Sequence, residues 1–464
     1  MKKVSKIVLY SAFFLGVNIY GIYSETVLEN LWKKSRFCST GIQTADIYMQ
    51  EAEASLRHIN DEYASTMSTS FSASFNDTYE SILWYPSYAD SRIVWSKTLP
   101  GSLSISTKMG YELNRSLFNI FEDGTSDNMG YSQEPFLSFT LSQGLCPYWI
   151  QGYRKDPYRA QLEYLRDLKK QNYYQTTKSI IMSVTMYYIQ LRKYERLIRM
   201  TEKTIDVYDT LIDSLTKSYE QGNLEISKAW EQENNRWEYV DDLNGYYDSR
   251  EAALKYLCIY CGDISGIDYF SELPSCDVSL FDYDPQEKMT EAQILQLEAQ
   301  YALDKQSNAP SVSLGGSFTD TAETVSTDDF INALKEKGAL EWSVTASVNF
   351  SPSFSNKKKL LDENYRLNRR AYELALQEEQ DENKRSCAYY DKMIGICKLQ
   401  FEKARHMEVD RLTFYNDAKK RLVLGNCTRM DVLQADSQHF TAKCIEENAE
   451  DSVWYYCWMR NQIK

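Results

Sequence analysis

Residues 421–438 read RLVLGNCTRMDVLQADSQ, and residues 219–236 read YEQGNLEISKAWEQENNR. Each stretch puts Gly-Asn at a break between two long helical runs. Gly222 and Gly425 suit the left-handed position that ends a helix, and the Asn after each helps the turn. A second helical pattern then resumes, over about 225–261 in one case and 428–463 in the other. The two stretches therefore predict one antiparallel helical hairpin, made twice.

Working outward, proline placement allows the hairpins to be long. Nine prolines fall at 86, 100, 135, 147, 157, 274, 285, 310 and 352, so 158–273 and 353–464 hold none. Proline inside a helix costs roughly 3 kcal/mol, and its absence over such tracts permits long rods. The apolar pattern uses that permission. Val184, Tyr187, Leu191, Tyr194, Ile198, Thr201, Ile205, Tyr208, Ile212, Leu215 and Tyr219 step by three and four without a slip. That is the seam of a coiled coil. A helix over 157–220 runs about 95 Å at ~1.5 Å per residue. It cannot bury such a stripe within itself, so it needs other rods.

Before each hairpin the period changes from 3.5 to 2. Segment 66–79 alternates Met67, Thr69, Phe71, Ala73 and Phe75 with mostly serine, and 134–145 aligns Leu137, Phe139 and Leu141. In the second half, 310–320 aligns Val312 with Leu314, and 340–351 aligns Trp342, Val344, Ala346 and Val348. These predict amphipathic strands of about ten residues, the length a tilted strand needs to cross a bilayer. Strands of an ordinary soluble sheet fit the same pattern. Segment 101–113 also alternates and reads either as part of a long external loop or as a strand extension.

The order helix, strand, long loop, strand, helix, tip, helix thus occurs twice, an internal duplication. Residues 1–24 read as a signal peptide, with Lys2, Lys3 and Lys6 ahead of an apolar stretch from Ile7 to Ile22. The first repeat covers 25–261, a linker or equatorial segment covers 262–285, and the second repeat covers 286–464. The helical hairpins occupy 157–261 and 355–463. A net charge of −14 over 464 residues argues against nucleic acid as a partner. Ten cysteines carry no spacing typical of a disulfide framework, and Cys258-x-x-Cys261 stands without a second pair or a nearby histidine. Most of the others fall within helical patterns as small core residues. The three histidines, His58, His406 and His439, read as surface positions. No metal or cofactor is expected. No phosphate loop, HExxH or Ser/His/Asp arrangement points to an enzyme.

The ordered motifs resemble the TolC-like outer-membrane efflux proteins. In the second half the match runs through Ala309-Pro310-Ser311-Val312-Ser313-Leu314, Phe350-Ser351-Pro352, Leu424-Gly425, Thr428 and Asp431-Val432-Leu433-Gln434-Ala435. In the first half it is thinner: Leu141-Ser142-Gln143-Gly144, with glycine where the family usually has proline, then Gly222, Ser227 and Ala229. The resemblance implies a mostly α fold of two tandem coiled-coil hairpins with four transmembrane strands per chain. Three copies would close a 12-stranded barrel over a periplasmic helical tube. It further implies a passive exit duct in the outer membrane for efflux or type I-like secretion. Its partners would be itself as a homotrimer, outer-membrane lipid, a periplasmic adaptor and an inner-membrane transporter. A periplasmic coiled-coil scaffold that never inserts is the competing reading.

The same resemblance assigns candidate sites. Family acids just past the second tip narrow the pore entrance, and their positions here hold Asp431 and Gln434. Thr428-x-x-Asp431 is also an N-terminal capping box, a purely structural use of the same carboxylate. The tips Gln221-Gly222-Asn223 and Leu424-Gly425-Asn426 match where the family meets an adaptor. Leu422 and Cys427 stand where relatives carry tyrosine and arginine. Tyr79, Trp84, Tyr85, Tyr88, Trp95, Tyr131, Tyr148 and Trp149 are candidates for aromatic girdles at the bilayer interfaces.

Overall fold

A computed structural model of the chain describes residues 26–59, 64–74, 88–99, 103–118, 128–144, 156–222, 225–307, 311–324, 339–349 and 354–463. The reading of 1–24 as a signal peptide lies outside them. In chain order the elements are α1 (Val27–Cys38), α2 (Thr40–Arg57), β1 (Thr66–Ser74), β2 (Tyr88–Leu99), β3 (Leu103–Phe118) and β4 (Asn128–Gly144). There follow α3 (Pro157–Glu220), α4 (Ser227–Cys261), α5 (Pro285–Ser307), β5 (Ser311–Thr324), β6 (Ala339–Asn349), α6 (Phe354–Val423) and α7 (Arg429–Asn461). The predicted opening helix is split: α1 ends at Ser39, whose backbone is extended, before α2 begins. Two compact units form, and each draws on both halves of the chain. Among the described residues, one holds those within 26–46, 173–285 and 381–463, and the other those within 47–172 and 286–380.

The second unit contains the sheet. Its six strands lie in the order β1-β2-β3-β4-β5-β6, every neighbouring pair antiparallel. The sheet thus holds two strands beyond the four transmembrane strands expected per chain. A whole hairpin, β2–β3, stands between the two strands predicted for the first repeat, and 101–113 lies largely within β3. The inward side of β2 explains the miss. Asp90 and Arg92 sit there, two charges that read as loop but neutralise each other at 2.6 Å. Adding one hairpin keeps the strand count even, so the chain still leaves the sheet at the end where it entered.

Register sorts the side chains into two faces. Thr69, Ile93, Met109, Leu137, Phe318 and Trp342 are paired in one row across all six strands, so they share a face. Five of the six are apolar, and those five are exposed. A row on the opposite face reads Thr66, Ser96, Ser106, Thr140, Gly315 and Thr345. Hydroxyl pairs bridge strands on this face, Thr66 with Ser96 at 2.7 Å and Ser317 with Ser343 at 2.6 Å. Gly110 meets a special need there. A Cβ at this position would lie 2.6 Å from both the Ser91 carbonyl oxygen and the Phe136 ring. The bare glycine lets that ring lie across the sheet, with the Arg92 guanidinium 5.7 Å from its centroid. Beyond the strands, Tyr301 of α5 stacks on Tyr365 of α6 at 4.2 Å and donates to Asp362 at 2.6 Å.

The first unit has its core where α1 meets the long helices. Leu28, Leu31 and Trp32 pack with Ile181, Val184, Tyr188 and Leu191 of α3, Leu257 of α4 and Trp458 of α7. Trp32 stacks on Trp458 at 5.5 Å and donates its indole N–H to Thr185 at 2.9 Å, so the buried polar edge is satisfied. The seam of α3 is buried at Val184, Leu191, Ile198, Thr201 and Ile205, and burial fades toward Tyr219 near the tip. A charged layer crosses the same helices. Asp451 of α7 receives Arg192 at 2.8 and 3.2 Å and Arg196 at 2.6 Å, all three side chains almost wholly buried. Segment 262–284 runs beside α7: Trp454 Nε1 donates to the Pro274 carbonyl and Gln462 Nε2 to that of Val278.

Candidate tip and gate sites

Both predicted tips close as left-handed glycine turns, with φ of 76° at Gly222 and 74° at Gly425. At the second tip the backbone forms a full Schellman turn. Asn426 N–H donates to the Arg421 carbonyl at 2.8 Å and Gly425 N–H to that of Leu422 at 3.1 Å. At the first tip Gly222 N–H donates to the Tyr219 carbonyl at 2.8 Å. Asn223, the third residue assigned to this tip, lies outside the described residues. A Cβ on either glycine would meet open space, so only the backbone conformation demands glycine there.

The helices that leave the tips start differently. α7 begins with Thr428 as N-cap and a complete capping box. Asp431 N–H donates to Thr428 Oγ1 at 3.2 Å, and the Asp431 carboxylate accepts from the Thr428 N–H at 2.7 Å. That backbone hydrogen bond holds the exposed Asp431 carboxyl below its usual range. α4 has no side-chain cap: Ile226 occupies its N-cap position. The thin first-half motif therefore has a physical counterpart, a helix start without a capping pair.

Asp431 and Gln434 sit one turn apart at the start of α7, both exposed. Gln434 also reaches a groove of about 500 Å³ between α3, α4, α6 and α7, whose lining includes Met200, Thr204, Tyr239, Arg411 and Ser437. Lys203 pairs with Asp436 at 2.6 Å and Arg411 donates to Gln438 at 2.8 Å beside it. His439 is not the surface residue expected. It is half-buried, bonded to Glu408 at 3.0 Å and stacked flat on Tyr415 at 5.9 Å. Its polar flanks concealed this, because the partners lie on α6, some thirty residues away.

Sequence spacing also missed the apolar rim of the second tip. Val423 and Leu424 are 87% and 72% exposed immediately before Gly425. Of the aromatic residues assigned to girdles, only Trp95 has its side chain among those described. It is half-buried, in the register row of Met67 and Phe139 on the apolar face.

No protein-family model matches the chain, and no curated protein does. Solved structures do. The CmeC outer membrane channel of Campylobacter jejuni superposes with a TM-score of 0.61 at 14% identity, over 94% of this chain and 84% of that one. The chain has the TolC-like fold. The outer-membrane channel OprN gives 0.61 at 13% identity, with 94% and 88% covered. VceC of Vibrio cholerae gives 0.61 at 11%, with 94% and 96% covered. The likeness thus spans nearly the whole of each chain while sequence identity stays low.

Proposed function

We propose that the protein is an outer-membrane channel, the passive exit duct of an efflux or type I-like secretion assembly. The observation that carries this reading is the sheet: an exposed apolar row on one face, Ser/Thr rows on the other, and two open edges. In water such an apolar surface is costly, whereas against lipid it is the inserting surface. The edges β1 and β6 each present unpaired backbone groups, which lipid cannot satisfy. With an even number of strands, β6 of one copy meets β1 of the next antiparallel, and the apolar faces join. Three copies close the wall with the twelve strands expected, or with eighteen and about 1.5 times as wide where the β2–β3 hairpin joins it. Helix seams support assembly too. Leu360, Leu367 and Leu374 on α6 recur every seventh residue and are all exposed.

In this reading the second tip docks a periplasmic adaptor through Val423, Leu424 and the bare turn at Gly425, and the adaptor joins an inner-membrane transporter. The tip at Gln221 and Gly222 is the second docking point. Three copies of Asp431 ring the entrance as a cation-binding gate, with Gln434 behind them. Asp431→Asn and Thr428→Ala separate gate from cap: cation block of the reconstituted pore disappears in the first and persists in the second. Block that follows the cap instead sinks the gate.

The deciding experiment is electrophysiology on the purified full-length protein in planar bilayers. Stable ion-conducting pores from detergent-extracted oligomers are expected. A water-soluble protein without pore activity would mean the non-inserting scaffold and would overturn the channel.

A further inference from the structure

We propose that Cys276 and Cys457 join as a disulfide in the exported protein, fixing segment 262–284 covalently to α7. The proposal rests on the exported location argued above. Register brings the two residues together. Trp454 Nε1 donates to the Pro274 carbonyl at 2.6 Å, Asn461 Nδ2 to the Cys276 carbonyl itself at 3.0 Å, and Gln462 Nε2 to the Val278 carbonyl at 2.9 Å. A fourth bond, from Leu280 N–H to Gln462 Oε1 at 2.9 Å, extends the same contact. Residues 454, 457 and 461 step by three and four, so Cys457 shares the helix face that makes these bonds. Cys276 sits between Pro274 and Val278, opposite that face. Both residues are half-buried; burial, then the nearby Asp277 and Cys457, pushes the Cys276 thiol up. The segment is held on both sides of the pair, which limits the motion needed to bring the sulfurs to bonding distance.

Other cysteines are placed differently. Cys261, Cys397 and Cys444 are buried, and Cys261 gives its thiol hydrogen to the Leu31 carbonyl. Among the described residues no group of His, Cys, Asp and Glu could hold a metal.

The chemistry needs a partner oxidant of one class, a protein disulfide in the compartment that receives exported chains. One cysteine, as thiolate, attacks a sulfur of that disulfide and forms a mixed disulfide. The second then displaces the oxidant's sulfur. One Sγ–Sγ bond forms, the two cysteines lose two electrons and two protons, and the oxidant leaves as a dithiol that has gained both.

The test alkylates full-length protein in intact envelopes before extraction and maps its peptides without reductant. A linked peptide joining Cys276 to Cys457 is expected, about 2 Da lighter than the two thiol peptides together and lost on reduction. Cys457→Ser removes that peptide and leaves Cys276 open to alkylation; Cys276→Ser does the converse. Full alkylation of both cysteines in protein that forms pores overturns the disulfide and leaves the channel intact. If the protein never reaches the outer membrane, the channel reading fails first. Purified protein is then exposed to oxidised glutathione, where a linked peptide supports the pairing and its absence overturns it.

Discussion

At the scale of single residues, the tips carry conformational demands that substitution can measure. Gly222 and Gly425 are left-handed, a conformation that costs an L side chain about 1 kcal/mol or more. Gly425→Ala should therefore speed amide hydrogen exchange across the second tip about fivefold, that energy expressed as an opening equilibrium. Gly245 and Gly395 lie within helices and have open space at the Cβ position. Alanine there is expected to act oppositely and slow local exchange, because glycine weakens a helix interior. Asp431 gives a pH signature. Its carboxyl is held below the ordinary aspartate value of 3.8 by the Thr428 N–H, so the cap is fully present above that value. It is lost as pH falls through the lower folded value. Exchange in the first turn of α7 should rise only in that acid window, and Asp431→Asn should flatten the profile. An unchanged profile in the variant would mean the cap carries no part of the acid response.

At the scale of elements, the charged layer between α3 and α7 is the joint most sensitive to a single change. Asp451 compensates two buried guanidiniums, and burial alone would push Arg192 down were its hydrogen bonds to Asp451 not present to raise it. Asp451→Ala leaves charge buried without its carboxylate and should cost about 3–5 kcal/mol, read as a fall in the thermal unfolding midpoint. An unshifted midpoint would show that water replaces the carboxylate. Nothing in the sequence flagged Asp451, because its partners lie more than two hundred and fifty residues away and acids are common on every helix here. The helices themselves were legible. Proline-free tracts and three-four spacing are local signals, and Val184, Leu191, Ile198 and Ile205 are buried as that spacing requires. β2 was not legible, since the charges of Asp90 and Arg92 read as loop and Val94 puts an apolar side chain on the polar face, which blurs the alternation. Tip turns were readable from Gly-Asn, whereas the His439–Glu408–Tyr415 contact needs the fold that brings α6 beside α7.

At the scale of the whole molecule, the question is whether the β2–β3 hairpin belongs to the membrane wall. Its residues continue the same two faces as the strands on either side: Met109 pairs with Ile93 and Leu137, and Lys108 with Val94 and Ser138. A wall strand therefore exposes 109 to lipid and 108 to the lumen, and the next strands offer Phe318 and Ser317 as reference positions. Single cysteines at these four sites, each carrying a spin label, separate the cases in reconstituted protein. Labels at 109 and 318 should relax with dissolved oxygen, which concentrates in lipid, and labels at 108 and 317 with a water-soluble nickel chelate. Alternation at 317 and 318 but water exposure at both 108 and 109 would put the hairpin outside the bilayer and return the wall to twelve strands. Phe318→Arg supplies an energetic check, since a cation on the lipid face costs about 2–4 kcal/mol at the midplane. Met109→Arg should match that loss of insertion only if β3 lies at similar depth. A loss at Phe318 alone would identify the hairpin as a lumenal or periplasmic insertion, and the wider barrel would be withdrawn while the channel stood.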